Sequence, residues 1–271
     1  MHAASRDALN QLTPKLDNLT AGAAQAPTAA QLGAELFDVV EALDKDRALR
    51  IAVADTTRTA EQRAGLIREV FNGRVAQPTL DILGEAAAQS WSTPREFRTG
   101  LVVLGRRALL RGAESEGQLQ DVEDQLYDLS RILDREPELS MLLSDPRADA
   151  AQKRSLLASV LYGKALKYTE ALALQVIGRP EHNPVDDIAA LVDQAADLRG
   201  RTVAQVVSAA ELTDAQRQVL AEKLGQLYGR DFSIHTVVDE SILGGMIIRV
   251  GDEKIDGSTI GRLERLRAQL V

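Results

Sequence analysis

The chain repeats itself at an offset of 90 residues. Leu36-Phe37-Asp38 returns as Leu126-Tyr127-Asp128, and Leu43-Asp44-Lys45-Asp46 as Leu133-Asp134-Arg135-Glu136. Leu49, Asp55, Gln62, Leu66, Val70 and Gly73 return as Leu139, Asp145, Gln152, Leu156, Val160 and Gly163. Pro94 returns as Pro184, and Leu101-Val102 as Leu191-Val192. About fifteen of roughly 67 aligned positions are identical, against a chance level of about one in fifteen. The shared positions are helix caps, helix stops and apolar face residues, so the duplicated object is a helical unit. Two copies at so long a period point to tandem domains and away from a solenoid.

The faces of that unit can be read from spacing. Leu9, Leu12, Leu16 and Leu19 recur at steps of three and four, which predicts a helix over 5–19. Small and breaker residues over 21–28 predict a loop. Leu32, Leu36, Val39 and Leu43 mark a second helix. Thr59 and Gln62 form a capping box that opens a third through Leu66, Ile67, Val70 and Phe71, stopped by Gly73. The second copy has Leu119, Val122, Leu126, Leu129 and Leu133 on one helix. A box at Asp149 and Gln152 then opens another through Leu156, Leu157, Val160 and Leu161, stopped by Gly163. Between the copies, Thr93-Pro94-Arg95-Glu96 is a strong helix start. Phe97, Leu101, Leu104 and Ala108 line that helix up to a break at Gly112 to Gly117. It closes the first copy and stands where the second needs its opening helix, so the copies are expected to share it. Asn183-Pro184 starts the matching helix, with Ile188, Leu191, Ala195 and Leu198 on its face and Gly200 at its end. Trp91 reads as a packing anchor between the copies.

After Gly200 the grammar changes. Thr202 to Ala210 is β-branched and strand-like. Thr213 and Gln216 cap a helix through Leu220, Leu224 and Leu227 to Gly229. Phe232, Ile234, Thr236 and Val238 alternate as a strand does, Met246 to Val250 reads as another, and Lys254 to Asp256 as a short return. Ser258 caps a last helix through Ile260, Leu263, Leu266 and Leu270, whose Arg262, Arg265 and Arg267 read as a solvated face. The expected fold is mainly α: two related helical bundles in tandem, residues 1–94 and 95–200 sharing the helix 95–112, followed by a small α/β domain over 201–271. Some 70 residues is marginal for a core of its own, so the tail is expected to lean on something else.

Composition removes whole classes of function. There are no cysteines, hence no disulfide framework, thiolate zinc site or Cys nucleophile; the compartment stays undetermined on that ground alone. A net charge of −8 argues against a nucleic-acid footprint. No apolar run is long enough to cross a bilayer, and the first nineteen residues, with Arg6, Asp7, Lys15 and Asp17, do not form a signal peptide. A soluble cytoplasmic protein is the default. No phosphate-binding glycine loop occurs, and His2, His182 and His235 lack metal-ligand spacing. Neither metal nor cofactor is expected, and His235 reads as a surface or edge histidine. The paired glycines Gly244-Gly245 feed a strand, which suits a bulge or a close backbone approach.

The tail carries a recognisable pattern. Val207-Ser208-Ala209-Ala210-Glu211-Leu212-Thr213 comes first, then Val238-Asp239-Glu240-Ser241-Ile242-Leu243-Gly244-Gly245-Met246-Ile247-Ile248-Arg249-Val250-Gly251-Asp252. Ile255-Asp256-Gly257-Ser258 and Arg262-Leu263-Glu264-Arg265-Leu266 follow. This resembles the C-terminal region of the delta subunit of F-type ATP synthases, the oligomycin-sensitivity-conferring-protein family. Residues 93–200 are similar to that family's N-terminal helical domain, including the Leu143-Ser144-Asp145-Pro146 turn and the helix of Lys153. The first third of the chain is reached only through the repeat, and the usual family pattern has no such extra copy.

The resemblance implies a non-catalytic stator subunit on the cytoplasmic face of the cell membrane, without direct membrane insertion. In the family the helical domain holds the N-terminal helix of an alpha subunit of the catalytic head. The C-terminal domain holds the end of the stalk b helices, expected here as separate chains. Carried over, the alpha-helix groove is expected between Phe97, Leu101 and Leu104 on one helix and Leu172, Val176 and Ile177 on the helix from Tyr168 to Ile177. Val238, Gly244, Gly245, Asp256 and Gly257 match the tail pattern and are expected to shape sheet and turns. For the extra copy two roles stay open: holding a second alpha-subunit N-terminus, or bracing the b helix. A free-standing helical adaptor and a hydrolytic enzyme are the rival readings.

Overall fold

A computed structural model places the helix starts at the predicted caps. The structure describes residues 1–55, 57–251, 253–259 and 261. The helix expected through Ile260, Leu263, Leu266 and Leu270, with Arg262, Arg265 and Arg267, lies outside the described residues beyond its start. Thr59 Oγ1 accepts from the Gln62 amide at 3.3 Å while the Gln62 side chain accepts from the Thr59 amide at 3.0 Å. Asp149 with Gln152, and Thr213 with Gln216, form the same reciprocal box. Each box satisfies two amides that the first helical turn would otherwise leave without partners.

Among the described residues there are twelve α-helices and four strands. In order they are α1 (Ala3–Thr20), α2 (Ala26–Lys45), α3 (Arg47–Val53), α4 (Ala60–Phe71), α5 (Gln77–Ala88), α6 (Pro94–Ser115), α7 (Leu119–Arg135) and α8 (Pro137–Ser144). Then follow α9 (Ala150–Leu161), α10 (Lys167–Gly178), α11 (Pro184–Leu198), β1 (Arg201–Ser208), α12 (Asp214–Tyr228), β2 (Asp231–Val238), β3 (Met246–Val250) and β4 (Glu253–Asp256). The repeat survives folding: α4 and α9, and α5 and α10, begin and end at positions 90 apart. The chain divides into two compact units, Met1–Val122 with Glu138–Pro184, and Glu123–Pro137 with Val185–Val271.

In the first unit, α6 is the central helix. It buries Phe97, Leu101, Leu104 and Ala108 in a core with Leu12 and Leu16 of α1, Leu32, Leu36 and Leu43 of α2, and Leu83 of α5. Each fully buried Leu or Phe contributes about 1.5–3 kcal/mol relative to an exposed one. Trp91 packs edge-on against Phe97 and donates from Nε1 to the Ala86 carbonyl at 2.7 Å. Three expectations need correction. The inward face of α1 is Ser5, Ala8, Leu12, Leu16 and Thr20, with Leu19 outside, because Ser5 bonds Glu96 at the start of α6 and turns the helix. The loop expected over 21–28 ends early: α2 begins at Ala26, since Pro27 is compatible with a first helical turn. The break at Gly112 is not a break. α6 runs on to Ser115, and Gly112 instead makes room for the Tyr168 ring, which a Cβ there would meet at 2.8 Å.

In the second unit the strands lie in the order β2-β1-β3-β4. β1 and β2 are parallel, with Arg201 opposite Asp231 and Ser208 opposite Val238, and so need the crossover that α12 supplies. β3 pairs antiparallel with β1 and with β4. One face carries a small core of Ala204, Val206, Phe232, Ile248 and Val250, closed by Leu212 and Leu224. On the other face of β2, Ser233 and His235 are buried. His235 is therefore on an edge strand, as expected, but not at the surface. Its Nε2 lies 3.0 Å from Glu123 Oε1, and its ring stacks on Tyr127 with centroids 4.3 Å apart.

Candidate partner-binding surfaces

The six groove residues expected from the sequence all point inward. Phe97, Leu101, Leu104 and Leu172 are 0% exposed, and Val176 and Ile177 are 1% exposed. They fasten α6 and α10 within the unit. The open surface next to them is made by their neighbours. A cleft of about 470 Å³ lies between α2, α6, α9 and α10. Phe37 of α2 and Ala171 and Leu174 of α10 give it an apolar floor, backed by the buried Val40 of α2 and Val102 of α6, with Gly178 and Arg179 also lining it. The α2 wall escaped sequence reasoning, because the groove was sought within one copy. The signal was Asp38, Glu41 and Asp44, acids at steps of three on one helix edge.

Two of those acids meet arginines of α6, α9 and the end of α10. Asp44 pairs with Arg98 and with Arg179, the latter at 3.3 Å. Glu41 accepts from Arg154 at 3.4 Å and from Lys45 at 2.8 Å. The Lys45 hydrogen bond is the largest influence holding the Glu41 carboxyl below its usual value, ahead of the opposing effect of burial. Asp38 goes the other way. Partial burial, then the charges of Glu41 and Glu35, raise it. Arg154 also fixes the shape of the cleft, since a Cβ at Gly178 would collide with its guanidinium.

The tail residues converge on one turn. Gly245 has φ +78°, and a Cβ there would lie 2.4 Å from the Gly257 carbonyl oxygen. The Gly257 amide donates to the Met246 carbonyl and the Thr259 amide to the Gly244 carbonyl, both at 2.9 Å. Asp256 Oδ1 accepts from the Ser258 amide at 3.0 Å and from its hydroxyl at 2.7 Å. Thus Gly244-Gly245 and Gly257 close on each other through backbone contacts. Val238 stands apart at the end of β2, 46% exposed.

Below the sheet, Glu123 is fully buried and accepts from Arg199 Nη1 at 2.6 Å as well as facing His235. Burial would raise its carboxyl, but the hydrogen bonds of His235 and Arg199 prevail and lower it. The sequence could not reveal this socket: Glu123 and His235 are 112 residues apart and share no motif.

Residues 107–270 match the family described as ATP synthase delta (OSCP) subunit. The chain belongs to this family. The ATP synthase delta subunit of Corynebacterium efficiens is 65% identical over 268 residues, covering 99% of this chain and 98% of that protein. That of Corynebacterium diphtheriae is 62% identical over the whole of both chains. A chain of the Toxoplasma gondii mitochondrial ATP synthase hexamer is 21% identical, with a TM-score of 0.36 over 61% of this chain and 94% of its own, too slight a likeness to guide geometry. The family match begins inside α6, whereas the corynebacterial delta subunits also align through the first repeat.

As a delta subunit the chain is a non-catalytic part of an F-type ATP synthase. Among the described residues no helix is long and apolar enough to cross a membrane.

Proposed function

We propose that this delta subunit is a stator component, holding the catalytic head to the peripheral stalk so that rotor torque drives ATP synthesis and does not spin the head. In this reading the surface between α6 and α10 receives the N-terminal helix of an alpha subunit. The module from residue 201 onward receives the C-terminal end of a stalk b helix, and the whole lies at the cytoplasmic face of the cell membrane. The labour divides over 1–94, 95–200 and 201–271.

The observation that carries the reading is the apolar-floored cleft walled by α2, α9 and α10 and backed by Val102 of α6. α6 and α10 are the two helices on which the family resemblance puts the alpha-subunit contact. Phe97, Leu101, Leu104, Leu172, Val176 and Ile177 support it from beneath, by fixing the two helices against the core. A groove of this kind suits an amphipathic helix, which gains affinity by burying its apolar stripe. In the tail, Gly244, Gly245, Asp256 and Gly257 give the turn beside β3 a single closed geometry, and Val238 leaves an apolar side chain exposed at the end of β2.

Calorimetric titration of the purified chain with the alpha-subunit N-terminal peptide tests the reading. One peptide per chain supports a single seat, and two per chain would mean that the duplication doubled the grip on the head. No binding by a helix-competent peptide would sink the reading.

A further inference from the structure

We propose that α2 of the first repeat is the third wall of the helix seat on α6 and α10, and that Asp38 on its rim selects a partner helix carrying a lysine or arginine. This rests on the reading of α6 and α10 as the helix-receiving surface.

The argument starts from the row of acids on α2. Asp38, Glu41 and Asp44 follow one another at steps of three and so share an edge of the helix. Two of them are engaged across the cleft: Asp44 by Arg98 and Arg179, and Glu41 by Arg154. These pairs join α2 to α6, α9 and the end of α10 and hold the cleft walls together. Asp38 is the member left over. It lines the cleft and makes no hydrogen bond or ion pair with a described residue. Glu35 and Glu41 on either side add to the negative potential there, which the charge of Arg154 offsets in part.

Beneath it, Phe37, Ala171 and Leu174 present apolar surface. An unpaired acid above an apolar floor has a chemical complement. A helix whose apolar stripe fills the floor can bring a long basic side chain along the rim to the carboxylate, its methylenes on the floor and its charge outside. A helix with an acid in that place would be repelled, so the same residue gives selection as well as attraction. The extra repeat thus has a task that a delta subunit without it would lack, which is to add a charged wall to a groove otherwise bounded by α6, α9 and α10.

The test uses the full chain, the alpha-subunit N-terminal peptide and two variants from opposite walls. Asp38→Lys changes only the α2 rim, and Leu174→Glu spoils the α10 floor; circular dichroism melts establish that both fold. Asp38→Lys is expected to weaken binding about tenfold. The loss should disappear when the basic residues of the peptide are replaced by glutamine, because the pair is then already broken. If Asp38→Lys binds as the parent does while Leu174→Glu binds poorly, the seat is on α6 and α10 alone and the third wall is refuted. If both bind as the parent does, the peptide sits elsewhere and the third wall is refuted with it. If the parent binds no peptide, the receiving-surface reading falls and takes this proposal along.

Discussion

Positions 33 and 109 of the first repeat stand ninety residues before 123 and 199 of the second, and the two pairs treat the same helix–helix contact in opposite ways. In the first, Gly33 of α2 meets Leu109 of α6 so closely that a Cβ would fall 2.7 Å from Leu109 Cγ. In the second, Glu123 of α7 meets Arg199, just past the end of α11, in a hydrogen-bonded ion pair at 2.6 Å. Four residues on, Phe37 corresponds to Tyr127, and the tyrosine ring lies on His235 of β2. The first repeat seals its contact with hydrocarbon. The second makes the equivalent contact a polar socket that holds the edge strand of the sheet. Duplicated backbone grammar can therefore carry different attachments, with the difference concentrated in a few side chains.

The largest expected effect breaks the apolar member of the comparison. In Gly33→Val the new side chain would meet not only Leu109 but the Gly105 carbonyl, 2.9 Å from its Cβ, and backbone cannot swing aside. A loss of about 3 kcal/mol is expected from overpacking, read as a shift of the urea midpoint of the full chain. A variant as stable as the parent would mean that close approach is not what distinguishes the first repeat.

Next comes the polar member. Glu123→Gln keeps the shape but leaves Arg199 facing a neutral amide. A loss of about 2 kcal/mol is expected, below the usual figure for a broken buried pair because the Arg199 side chain is 16% exposed. The pH dependence has a definite sign. The Glu123 carboxyl is lowered from 4.5 by its partners, so its contribution is present above that value and fades as pH falls through the lowered one. Parent and variant should therefore converge in acid. Convergence in alkali instead would assign the stabilisation to another group.

How much of this could be read beforehand follows from what local sequence encodes. Caps and stops are local chemistry, so Thr59, Asp149 and Thr213 could be assigned from four-residue windows. The repeat was legible because duplication preserves those windows. The short helices α3 and α8, with seven and eight residues, offer too little periodicity to announce themselves. Contacts between distant segments leave no local trace. Gly112 looked like a stop because glycine usually is one, whereas its reason is the Tyr168 ring more than fifty residues later. His235 looked exposed for the same cause. Most apolar residues at helical spacing lie on buried faces, though Leu19 and Leu227 stand exposed. Spacing cannot say whether a face meets the core or a partner, and Phe97, Leu101 and Leu104 meet the core.

A smaller effect sharpens the contrast between buried and peripheral charge. The first repeat has its own acid–arginine lock, but at the edge of the bundle: Asp17 accepts from both Arg107 and Arg111. Burial would raise the Asp17 carboxyl, yet these two arginines hold it at about 2. Its stabilisation is therefore complete above 3.8 and is lost as pH falls towards 2. Because both arginines remain partly in water, Asp17→Asn should cost only about 1 kcal/mol at neutral pH. A cost equal to that of Glu123→Gln would erase the distinction.

The smallest expected effect asks whether the ring or the hydroxyl of Tyr127 belongs to the socket. The ring is buried and stacked on His235, with planes 22° apart, while the hydroxyl makes no hydrogen bond to a described residue. Tyr127→Phe restores the residue found at the equivalent place in the first repeat and keeps the stacked surface. Stability in urea should then stay within about 0.5 kcal/mol of the parent. A clear loss would mean that the hydroxyl is held through water, and that the change from Phe37 to Tyr127 is part of the same polar adaptation as the change from Gly33 to Glu123. Neutrality would confine that adaptation to the charged pair and the histidine, with the aromatic ring inherited from the ancestral repeat and merely reused as a platform.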